Sequence, residues 1–160
     1  MTYFIDIQHA CTEKIPVADE TLTKWVETAL ASQQESAELT LRLVDAAEIT
    51  QLNNTYRKKN KATNVLAFPA DYPEEIELDY PFLGDVIICP QVLEQESESL
   101  NIPLTAHLAH IIVHGVLHLL GFDHINEDDA TIMQAIEIKL LAQLGFNDPY
   151  QCKAEECEIE

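Results

Sequence analysis

Apolar and polar side chains alternate along Tyr3–Gln8 and again along residues 38–44 (ELTLRLV), which predicts two strands with one buried face each. Between them the period changes. Leu22, Trp25, Val26, Ala29 and Leu30 recur at helical spacing and predict a helix over about 19–32. Asp45 can cap a short helix reaching about Tyr56, with Ile49 and Leu52 inward. The apolar run at 63–69 predicts a third strand. Leu83–Cys89 predicts a fourth, stopped by Pro90 and followed by a helix at about 91–99. Pro103 suits the first turn of a longer helix over about 103–120. The last helix, 128–144, opens at Asp128 or Asp129, carries Ile132, Met133, Ile136, Leu140 and Leu144 as its inner stripe, and stops at Gly145. These elements add up to an α+β fold, a small mixed four-stranded sheet packed with about five helices.

The helix over 103–120 holds the candidate chemistry, in the run HLAHIIVHGVLHLLGFDH at 107–124. His114 and His118 are four apart and share one helical face. Gly121 is a natural helix stop, after which the chain can double back and bring His124 toward them. Three neutral imidazoles converging on a point suit one divalent metal ion, zinc above all, with the fourth position left for water. The spacing matches the metzincin pattern of metalloproteases at every ligand and at the glycine, giving a zincin-like metal site. One position departs: Gly115 stands where those proteases carry their glutamate base. A metal cage without that base argues against a conventional peptidase. His110 lies on the same face and is expected in the core or behind the ligands; His107 is expected to be exposed.

Composition narrows the setting. A chain of 160 residues with ordinary apolar content predicts one domain over 1–150 and an acidic C-terminal tail over 151–160. Cys11, Cys89, Cys152 and Cys157 show no CxxC spacing, so a disulfide framework is not expected, although Cys152 and Cys157 leave room for a second metal clip or a fourth ligand. The start MTYFIDIQHACTEK is no signal peptide and no stretch is long and apolar enough to span a bilayer, so no membrane partner and a cytoplasmic location are expected. Nine Lys and Arg against 28 Asp and Glu give a net charge of −19, which repels nucleic acid on average; no DNA partner is expected. The balance inverts only at Arg57, Lys58, Lys59 and Lys61. Arg57 can fork onto a phosphate or carboxylate, while Lys59 and Lys61 act as point charges, which makes these three the candidate substrate-binding residues.

Together YRKKNKATNVLAFP at 56–69, LGDVII at 83–88, HGVLHLLGFDH at 114–124 and GFNDPY at 145–150 resemble the YbeY family, the bacterial endoribonucleases also called rRNA maturation factors. Ala67 stands where that family commonly has serine. The resemblance implies a zinc-dependent, single-strand-specific endoribonuclease acting in 16S rRNA 3′-end maturation and ribosome quality control, with single-stranded rRNA as substrate and the ribosome or small-subunit ribosomal proteins as partners. It implies His114, His118 and His124 as zinc ligands, one ion per chain, and Arg57 as the cation of the substrate channel. A zinc-bound water or a ribose 2′-hydroxyl would attack phosphorus, with Arg57 stabilising the growing charge. Asp123 is read as supporting a ligand and Asp85 as structural. Two other readings stand beside this one: a zinc hydrolase of a peptide, amide or small molecule, and a non-catalytic ribosome assembly factor with structural zinc.

Overall fold

The computed structural model describes residues 2–12, 14–70, 81–122 and 126–150. The acidic segment 71–80, Asp123, His124 and the tail with Cys152 and Cys157 lie outside the described residues. In chain order the elements are β1 (Thr2–Ala10), α1 (Asp19–Ala31), β2 (Ser36–Val44), α2 (Ala46–Arg57), β3 (Val65–Pro69), β4 (Phe82–Ile88), α3 (Pro90–Leu100), α4 (Leu104–Leu119) and α5 (Glu127–Gln143). Four strands form one sheet in the order β1-β2-β4-β3. β1, β2 and β4 run parallel, and β3 is an antiparallel edge. The architecture is the mixed-sheet α+β fold expected from the pattern.

Strand alternation decides which side each helix covers. Leu39, Leu41, Leu43, Val86 and Ile88 project to one face and meet α1 and α4 in the larger core cluster. Leu66 and Ile87 project to the other, where Val44, Ile49 of α2 and Cys89 complete a smaller cluster. Helix α4 is buried on nearly every side, by β3, β4, α1, α3 and α5. A helix so placed must be apolar all round except where it meets an opening. Beyond Thr105 in its first turn, its polar exceptions form the column His107, His110, His114 and His118.

Several expectations need correction. Asp45 stands at the N-cap of α2, but its side chain makes no capping bond there. Instead Oδ1 accepts from the Thr12 backbone N–H (2.9 Å) and hydroxyl (3.1 Å), tying the end of β1 to α2. Helix α5 is capped by Asn126, whose Oδ1 accepts from Asp129 N–H at 2.9 Å, rather than by an aspartate. Ile132 is 54 % exposed, so the inner stripe of α5 runs through Met133, Glu137, Leu140 and Leu141. His107 is buried, because α3 closes over that end of α4, and its Nε2 lies 2.9 Å from Glu96 Oε1.

Candidate metal centre and RNA-cleavage site

Helix α4 ends in a two-bond lock around Gly121. Gly121 N–H donates to His118 O (3.1 Å) and Phe122 N–H to Leu117 O (3.0 Å), the paired bonds of a left-handed glycine stop, with φ +103° at the glycine. Phe122 packs onto the main core cluster. The last turn, with His118 on it, is therefore held rather than frayed.

His114 Nε2 and His118 Nε2 are 3.0 Å apart. Two imidazole nitrogens bound to one tetrahedral zinc at ordinary lengths stand about 3.3 Å apart, so the pair needs little adjustment to share an ion. Behind them His114 Nδ1 lies 3.2 Å from Glu137 Oε2. An ionised carboxylate only accepts, so Nδ1 carries the proton and the Nε2 lone pair faces His118. That tautomer is the one a metal ligand requires. Glu137 is held in turn by Tyr150, whose hydroxyl donates at 2.6 Å to Oε1, and by His110 Nε2 at 2.8 Å.

Glu137 is fully buried, and burial alone would raise its pKa. Hydrogen bonds from His110, His114 and Tyr150 outweigh that and lower it from an ordinary 4.5 to about 2. The Tyr150 hydroxyl is pushed upward, first by burial and then by its bond to Glu137, and so keeps its proton. Because the folded pKa is depressed, the stability contributed by ionised Glu137 is complete above pH 4.5 and is lost as pH falls through about 2. Acid unfolding of the metal-free protein is expected to show this limb, and Glu137→Gln is expected to flatten it between those two values.

Among the described residues, His110, His114 and Glu137 offer ligand atoms all within 4.8 Å of one another, a group that could hold a metal ion. The pairing of His114 with His118 faces a different way. Both line a cavity of about 470 Å³ together with Arg57, Val65, Ala67, Pro69, Gly115, Gly121 and Phe122. Arg57, at the end of α2, thus meets the histidines of α4 across the edge strand β3. Lys59 and Lys61 are exposed on the following segment and are not among the lining residues. The register of β4 sets Asp85 on the face opposite Val86, which packs on α4, so Asp85 points away from the cavity.

Gly115 has a packing reason. A Cβ there would stand 2.8 Å from Val86 Cγ1 and 3.3 Å from Val65 Cγ2, so α4 lies on the sheet at a distance only glycine allows. Gly115→Glu is expected to destabilise the fold by about 1–3 kcal/mol, read as a lowered unfolding midpoint, and to create no peptidase activity.

Glu137 and Tyr150 were not singled out by the sequence pattern. Glu137 does interrupt the stripe Met133–Leu140, and a lone carboxylate at a buried helical position is the signal that identifies it.

Fold and site together define a class: an α+β protein with a histidine–carboxylate group able to hold a metal, beside a cavity with an arginine on its rim. The model of the family Endoribonuclease YbeY matches residues 7–145. Endoribonuclease YbeY of Legionella pneumophila (strain Corby) is 54 % identical over 158 residues, covering 99 % of this chain and 100 % of the relative. Its namesake in Pseudomonas fluorescens is 51 % identical, covering 91 % and 95 %. The chain belongs to the YbeY endoribonuclease family, and that membership supports an endoribonuclease role. The solution structure of a Thermotoga maritima protein shares the fold with a TM-score of 0.57 at 22 % identity, covering 91 % of this chain and 99 % of that one.

Proposed function

We propose that this protein is a zinc-dependent, single-strand-specific endoribonuclease that acts in 16S rRNA 3′-end maturation and ribosome quality control. Residues 1–150 would form its single metal-dependent hydrolase domain, followed by an acidic tail over 151–160. The observation that carries the reading is one cavity lined by Arg57, His114 and His118. Binding at the ribosome or to small-subunit ribosomal proteins, in the cytoplasm, would offset the repulsion between RNA and a chain of net charge −19. Among the described residues no single helix is long and apolar enough to cross a membrane.

His114, His118 and His124 are the proposed ligands, chosen over the His110–His114–Glu137 group because a catalytic ion needs an open position and the first pair borders the cavity. Zinc held there would supply Lewis-acid polarisation of a phosphoryl oxygen and acidify a nucleophile. The protein's own part is positional and electrostatic. The Arg57 guanidinium binds the phosphodiester and stabilises charge growing on its nonbridging oxygens as the P–O bond breaks. Glu137 keeps the His114 proton on Nδ1, so that Nε2 remains a ligand. Gly115 in place of a glutamate base speaks against a peptidase mechanism, and no carboxylate is among the described lining residues. An open cavity beside the histidines likewise disfavours a closed structural zinc site.

The test is cleavage of matched single-stranded and duplex RNA by nuclease-free, zinc-loaded protein. Single strands are expected to be cut, and His114→Ala and Arg57→Ala are each expected to slow cutting by about a hundredfold or more. Wild-type rates in both variants would overturn the proposal.

A further inference from the structure

At 65 %, Tyr56 is the most exposed large hydrophobic residue described. Its ring is nonetheless seated: the centroid lies 5.1 Å from that of Phe68 at an interplanar angle of 58°. Phe68 in turn packs on the smaller core cluster. The result is a braced aromatic with much of its surface free.

Its neighbours give that surface a partner. Arg57, the next residue, lines the metal-side cavity. Lys58 then takes a left-handed conformation, φ 58°, and turns the chain so that exposed Lys59 and Lys61 follow. Four of the nine Lys and Arg residues of a strongly acidic protein thus stand within five positions of Tyr56. A seated aromatic beside clustered cations is the arrangement by which proteins hold single-stranded nucleic acid, the cations on phosphates and the ring on a base.

We propose that Tyr56 is a stacking platform for a base of single-stranded RNA, next to the phosphodiester that Arg57 draws into the cavity. The inference rests on the endoribonuclease reading above and deepens it. In a duplex each base is already stacked between its neighbours and has no face to offer, so a platform beside Arg57, on the sheet face of Phe68 rather than inside the cavity, selects unpaired strands. Tyr56 touches substrate without taking part in bond cleavage, so its effect falls on binding.

Affinity is measured on the full-length, zinc-loaded protein with a short single-stranded RNA, an abasic strand of the same length, and the corresponding duplex, each at several salt concentrations. Tyr56→Ala is expected to weaken single-strand binding by about tenfold to a hundredfold. Tyr56→Phe and Tyr56→Trp are expected to restore it. The salt slope stays unchanged in Tyr56→Ala, because no counterion-releasing charge is lost, whereas Arg57→Ala lowers it by about 0.7. Wild type and Tyr56→Ala should bind the abasic strand equally. The platform is overturned if Tyr56→Ala binds single strands as wild type does while Arg57→Ala is impaired; the substrate reading would then stand. It is also overturned if Tyr56→Ala loses abasic and normal strands in equal measure. If wild-type protein neither binds nor cuts RNA, the substrate reading itself fails.

Discussion

His118→Ala is expected to lose zinc and RNA cleavage together while keeping its fold. The His118 side chain is only half-buried, at the rim of the cavity, and its removal leaves the core residues Val116, Leu117 and Leu119 in place. The glycine stop that follows is built from backbone bonds and persists. What disappears is one of two nitrogens 3.0 Å apart. With the proposed three protein ligands reduced to two, zinc would bind far more weakly, so metal content per chain is expected to fall toward zero at micromolar zinc. Cleavage is expected to drop by at least about a hundredfold, the scale of losing one preorganised contact to a transition state. Metal analysis, a thermal melt and a cleavage assay on one preparation check this. Unchanged zinc content in His118→Ala, with zinc lost in His110→Ala, would move the ion to the His110–His114–Glu137 group.

Glu137→Ala is expected to act on the same ion from behind. The carboxylate holds His114 through Nδ1 and is itself held by Tyr150 and His110. Removing it leaves the His114 ring free to turn or to change tautomer, which costs about tenfold to a hundredfold in metal affinity. It also takes the acceptor from three donors, on half-buried His110 and His114 and on exposed Tyr150, at a cost of about 1–3 kcal/mol. Zinc titration of the apoprotein separates the two effects, because a purely structural role lowers the melting temperature of apoprotein and holoprotein alike and leaves the dissociation constant alone. Glu137→Gln keeps one acceptor oxygen and is expected to recover most of the stability but only part of the affinity. Equal zinc affinity in wild type and Glu137→Ala would remove Glu137 from the support of the site.

How much of this was legible beforehand differs from element to element. The strands β2 and β4 and the helices α1 and α4 follow from periodicity, since each has one wet side or none and the residue pattern records it directly. The turn at Gly121 was legible because a left-handed residue after a helix has few solutions. On helix α5 the expected stripe holds at Met133 and Leu140 and fails at Ile132. Ile132 looked inward on polarity alone, whereas the buried face also takes Glu137, which meets His110 and His114 of α4. His107 failed for the same reason: its burial comes from α3 and Glu96, eleven residues earlier in the chain.

The sequence by itself determined the element order, the apolar helix with its histidine pair and glycine stop, and the single basic run in an acidic chain, because each is written in neighbouring residues. The tertiary structure alone decided that Arg57 and the histidines line one cavity, that Glu137 and Tyr150 stand behind His114, and why position 115 must be glycine. Those are matters of which helix lies against which strand and how closely. The packing of α4 on β3 and β4 and of α5 on α4 sets them, and no local pattern contains those distances.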